Sequence, residues 1–199
     1  MQPQRPPSKS REDSAAQDRP TGVLVNARSL ISVLVAVGAT GCATGEAVQP
    51  YAVTANTYAD MQDLKHATDH TIGVGRFRMA RDPAELPVAP GASIETPHEE
   101  SFATYLRDAL VSELKTAGVY SDAAPVMLTG VIESIQLSHS SQQAEWQIVL
   151  TVYSSSGISV QVEERHHLSE KPSEAFMPAV QDLIAKLVHD PRFKELVRG

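Results

Sequence analysis

The chain carries one cysteine, Cys42, in the context Ala39-Thr40-Gly41-Cys42-Ala43. A lone cysteine forms no intramolecular disulfide, so its thiol is free for other chemistry. The small residues before it leave the sulfur open to alkylation and the Gly41–Cys42 bond open to a peptidase. The histidines offer less. His66 and His70 stand four apart, a spacing at which helical side chains share a face and can ligate a metal, with Asp63 and Asp69 nearby. Their surroundings suit a polar surface better. Glu164 and His166 lie two apart on a β-rich run and point the same way, as on a solvated edge strand. Gly73-Val74-Gly75 lacks the third glycine and the following helix of a dinucleotide fingerprint. There is no Gly-x-Ser-x-Gly elbow and no P-loop. Glu99, Glu100 and Asp108 read as helix-start and surface charges. No catalytic residue, metal site or cofactor is expected, and the chain is read as a non-enzyme.

What precedes Cys42 gives its thiol a purpose. Residues 29–38 form an apolar run. A membrane-spanning helix needs about 20 such residues, so this one is too short to span. It has the length of the apolar core of a secretory signal, about 7–15 residues, and Arg28 supplies the positive flank. Arg28, the apolar run, the small residues and the cysteine, in that order, resemble the lipobox of bacterial lipoproteins. Ala39 stands where that pattern usually has Leu. The resemblance implies cleavage between Gly41 and Cys42 and a diacylglyceryl group on the Cys42 sulfur. Each buried methylene contributes about 0.8 kcal/mol, and the two or three chains of a mature lipoprotein, palmitate among them, anchor it to the membrane permanently. Ala43 after the cysteine, rather than Asp, resembles lipoproteins sorted to the outer membrane, facing the periplasm.

The elements around this anchor follow from composition and periodicity. Residues 1–22 are rich in Pro, Ser, Arg and Gln and read as disordered or as a mis-assigned start. Residues 23–41 are the signal peptide, 42–69 a lipidated tether whose end can form a short helix, and 70–199 the folded periplasmic domain. In that domain, 71–79 alternates as a first strand with a bulge at Gly75. Residues 80–97, with four prolines, read as a long loop suited to an extended docking segment. A helix is expected over 98–117, with Thr96-Pro97 as its cap and Gly118 as its stop. Strands follow over 126–138, 143–154 and 158–168, joined by serine-rich hairpin turns. Trp146 shares a face with Ile148 and Leu150 and belongs to the core. A second helix covers 173–189, and 193–197 adds a last turn after Pro191. The order β-α-β-β-β-α predicts an α+β fold, a mostly antiparallel four-stranded sheet with two helices on one face.

The 71–77 strand, the 102–114 helix and the Leu128-Thr129-Gly130 core of the next strand resemble two groups of exported proteins. These are the auxiliary lipoproteins of ABC-type transporters and the curli-export and Tol-type amino-terminal domains. The resemblance implies a non-catalytic accessory component of an envelope complex, with a protein partner. The alternative is a lipid- or lipopolysaccharide-handling component of a transport system. The net charge of −7 argues against nucleic acid. After Gly41 the chain has 12 basic and 21 acidic side chains, a net of −9. Such a domain should stand off an anionic bilayer rather than lie on it. If translation begins at Val23 or Leu24, mass spectrometry of the unprocessed precursor finds no peptide from residues 2–19.

Overall fold

The computed structural model describes residues 46–80, 87–89, 92–97, 101–139 and 144–198. The signal segment, Gly41, Cys42, Glu99 and Glu100 lie outside them. Strand β1 is Glu46–Ala47, helix α1 Ala55–Ala67, and β2 Ile72–Met79. Strands β3 (Pro87–Ala89) and β4 (Ala92–Glu95) follow, then helix α2 (Phe102–Thr116). The long strands are β5 (Val126–His139), β6 (Ala144–Ser154) and β7 (Ser159–His167), followed by helices α3 (Pro172–His189) and α4 (Pro191–Arg198).

The α+β class and the four-stranded sheet are as expected. The strand order is β2-β5-β6-β7, with β5–β6 and β6–β7 antiparallel. The sheet is nonetheless mixed, because β2 and β5, joined through α2, pair in parallel. Alternation buries one face: Phe77, Leu128, Ile132, Trp146, Ile148, Leu150, Val160 and Val162 point into the core. Thr129, Glu133, Tyr153, Gln161 and Glu163 point out. The β2–β5 register shifts between Val74 and Phe77, at the expected bulge around Gly75. Just beyond, the Phe77 ring lies flat across Gly130, where an added Cβ would meet it at 2.7 Å. Only glycine admits that approach.

Helix α2 buries Leu106, Ala109, Leu110 and Leu114 completely. Each large apolar side chain so buried contributes roughly 1.5–3 kcal/mol. Its N-cap is Ser101, whose Oγ accepts from the Thr104 N–H at 3.1 Å, rather than the expected Thr96-Pro97. Its stop is Gly118, at φ 72°, with Gly118 N–H bonded to Lys115 O and Val119 N–H to Leu114 O. That paired closure needs a left-handed residue. In α3, Phe176 is the hub of an aromatic cluster with Trp146 (5.1 Å, 77°), Phe102 (5.2 Å) and Tyr105 (5.7 Å). The Trp146 indole N–H, buried with its ring, donates to Pro172 O.

Three expectations need correction. Four helices, not two, occur among the described residues. The sequence predicts a long loop over 80–97, whereas β3 and β4 pair there and β4 pairs in parallel with β1. Pro87 is tolerated because it opens its strand. The sequence also predicts a tether over 42–69, but its described part, 46–69, is folded into the domain. Met61 and Leu64 of α1 are buried with Thr57 and Val48. The reason is Glu113, 1% exposed on α2. Its two carboxylate oxygens accept from Tyr51 Oη and Thr57 Oγ1, each at 2.6 Å. Burial and then the Glu113 bond push the Tyr51 phenol above its usual range, so it stays a donor.

Glu113→Ala strands both hydroxyls. It should lower stability by about 2–4 kcal/mol, read from the denaturant midpoint, because two partly or fully buried donors lose their acceptor. Glu113→Gln, which keeps the shape and one acceptor, should lose less.

Candidate functional site

Gly41 and Cys42 lie outside the described residues, but the folded chain begins close behind them. Glu46, four residues after Cys42, pairs with Ile94 in β4, and its carboxylate meets Lys171 Nζ at 3.3 Å. Val48 N–H donates to Glu95 O, and Tyr105 Oη to Gln49 O. The segment that follows the cysteine is therefore tied to β4, α2 and α3. No helix among the described residues is long and apolar enough to cross a membrane.

The candidate polar residues fall in three places. Glu164 and His166 do point the same way on β7, and α3 adds Asp182 and Lys186. Ligand-type atoms of Glu164, His166 and Asp182 lie within 4.8 Å of one another. His166 Nδ1 meets Asp182 Oδ2 at 2.9 Å. Glu164 is not on a solvated surface: it is 5% exposed. The Lys186 ammonium sits 2.6 Å from its Oε2, a charge contact without an aligned hydrogen bond. The same ammonium donates to Glu163 O at 3.1 Å. Lys186 thus supplies the positive charge that a metal ion would bring, and the cluster ties α3 to the outer edge of β7. Lys186 is the member that sequence reasoning missed. Its stripe on α3 is visible in the sequence, but the strand it meets is not.

His66 and His70 are not brought together as ligands, because α1 ends at Ala67. His66 stays exposed. His70 Nδ1 meets Asp69 at 3.0 Å, and Nε2 meets the Val197 carbonyl of α4 at 2.8 Å. Both partners only accept. A neutral imidazole carries one N–H and satisfies one of them, whereas imidazolium satisfies both. The Asp69 bond first, and the Val197 bond second, raise the His70 pKa, and the His70 bond lowers that of Asp69.

The third place is a cleft at the outer edge of β2, past its bulge. It holds about 410 Å³ and is lined by Arg76, Phe77, Arg78, Met79, Ser101, Ala103, Thr104 and Arg107. Arg107, paired to Asp108, donates from Nε to Gly75 O and from Nη2 to Val74 O. Arg76 and Arg78 are exposed. Sequence reasoning also missed this cleft, although the alternation Arg76-Phe77-Arg78-Met79 marks two cations on one face of a strand.

No family model matches the chain, and no curated protein matches it. Among solved structures, it is similar to the crystal structure of protein XCC0632 from Xanthomonas campestris, described under the family model DUF330. The two are 18% identical, the match covers 65% of this chain and 86% of that one, and the TM-score is 0.48.

The His70 geometry sets a pH dependence. Its folded pKa is raised, so its stabilisation is fully present below the unfolded value, about 6.5, and is lost as pH rises through the folded pKa. The difference in melting temperature between the wild type and His70→Gln should be larger at pH 5.5 than at pH 8.5. An equal difference at both would show that the imidazolium form does not pin α4.

Proposed function

We propose that the chain is a lipoprotein, anchored through a diacylglyceryl group on Cys42 at the outer membrane facing the periplasm. There it acts as a non-catalytic accessory component of an envelope complex and binds a protein partner. The anchor half of this reading rests on the order Arg28, apolar run, small residues, Cys42. The partner half rests on one observation: past its bulge, the edge strand β2 has no strand paired to its outer side among the described residues and lies beside an arginine-lined cleft. Unpaired strand edges recruit further strands, and proteins commonly use them for partners.

The fold adds a distance. Three residues lie between Cys42 and Glu46, the first residue of β1, and an extended chain advances at most about 3.3–3.6 Å over each of the four steps, so the link spans at most about 14 Å. A lipidated Cys42 therefore keeps the near end of the domain within that distance of the headgroup region, while the net charge of −9 turns the rest away from an anionic surface. A partner must reach it at the membrane surface.

Growth with radiolabelled palmitate should label the wild type and place it in the membrane pellet. Cys42→Ser should be unlabelled and released. A wild type without label, or a Cys42→Ser protein that pellets equally well, would overturn the anchor. A pull-down from solubilised envelopes should bring down a partner in stoichiometric amount, and co-extracted lipid without protein would overturn the partner reading.

A further inference from the structure

Parallel pairing fixes which backbone groups of β2 face outward. Phe77 is opposite Gly130 and Met79 opposite Ile132, and the Ala80 N–H donates to Ile132 O. The N–H and C=O of Arg76, Arg78 and Ala80 therefore turn toward β5. By alternation, those of Phe77 and Met79 turn away from the sheet. Before the bulge the outer edge is used: Ile72 bonds to Val119 and Ser121, and Arg107 takes the Val74 and Gly75 carbonyls. After the bulge, none of the described residues takes the outward groups of Phe77 or Met79. Arg76 and Arg78, two residues apart on one face, likewise make no ion pair among the described residues. Arg107 adds a third guanidinium from the helix side.

We propose that this cleft takes an acidic, extended segment of a protein partner. The segment adds a strand against Phe77 and Met79, and its carboxylates, two residues apart, pair with Arg76 and Arg78. The inference rests on the partner-binding reading above and names the chemistry of the partner. Charge selects this occupant. A second copy of the chain would set one row of arginines against another. An anionic headgroup would meet the guanidiniums but leave the strand donors and acceptors of Phe77 and Met79 unused. An alternating Glu-x-Glu strand satisfies both, with its intervening side chains turned toward Met79 and Ala103.

The test uses the full-length chain carrying Cys42→Ser, so that lipidation plays no part, and a fluorescent octapeptide of alternating Glu and Val. Expected are saturable binding and slowed hydrogen exchange at the Phe77 and Met79 amides. Arg76→Glu with Arg78→Glu should weaken binding by at least about tenfold. The milder pair Arg76→Gln with Arg78→Gln should weaken it less and guards against misfolding of the first. The same peptide N-methylated at alternate amides keeps its charge but cannot join a ladder, and its binding should be lost. Equal binding of the methylated peptide, unprotected Phe77 and Met79 amides, or no binding at all would overturn the proposal. So would capture by phosphatidylglycerol vesicles in place of the peptide. Because the palmitate and pull-down results do not depend on this peptide, a failure here leaves the anchor and the existence of a partner standing.

Discussion

The carboxylate of Glu113 is the constraint on which the domain's boundary depends. It sits 1% exposed on the apolar stripe of α2. A carboxylate so placed costs several kcal/mol unless hydrogen bonds replace its water. Among the described residues, its two donors come from upstream of the four-stranded sheet, Tyr51 and Thr57. The segment from 46 to 69 is therefore obligatory for the core. Once it is held there, other contacts accumulate along it: Gln49 O to Tyr105, Ala52 O to Gln181, and Asp60 to His189 of α3. The exposed ones, Ala52 O to Gln181 and Asp60 to His189, contribute little singly, of order 0–1 kcal/mol each. The buried glutamate sets where they form.

The consequence is positional. A domain that started near residue 70 would hang from some 28 residues of flexible chain, for which the expected end-to-end distance is about 5–6 Å multiplied by the square root of the residue number, near 30 Å. Starting at Glu46 removes nearly all of that freedom. For a lipidated protein this changes the search for a partner from a swept volume to a thin layer at the bilayer. Effective concentration rises steeply as a linker shortens, provided the geometry permits contact.

Much of the fold was legible because the periodic elements are strong. β2, β5, β6, β7, α2 and α3 each carry a clear alternating or helical apolar set, and their observed ends differ from the expected ones by a few residues. Trp146 in the core was readable from its shared face with Ile148 and Leu150. Helix α1 was under-read because its buried stripe, Thr57-Met61-Leu64, has helical spacing but opens on a polar residue whose partner is a distant glutamate. Strands β3 and β4 were missed because three- and four-residue strands among prolines carry almost no period. Of the candidate site residues, Glu164 and His166 were correctly placed on one face of one strand. The burial of Glu164 was not legible, because it depends on Lys186 meeting that strand across the fold. The cleft at β2 needs the same kind of long-range information, namely which strand ends the sheet.

The two edges of the four-stranded sheet are unequal, and that inequality narrows what the protein can engage. At β7 one outward carbonyl, that of Glu163, is taken by Lys186, the other outward groups from Ser159 to His167 have no partner among the described residues, and the exposed Arg165 is paired with Glu163. At β2 the outward groups past the bulge are likewise without a partner among the described residues, but the flanking charges are guanidiniums that make no ion pair there. The chain after Gly41 carries a net of −9, but beyond a Debye length, about 8 Å at physiological ionic strength, that charge is largely screened. Within that distance the local arginines dominate. Recognition at β2 thus gains no long-range steering and depends on contact, which suits a partner already confined to the same membrane surface.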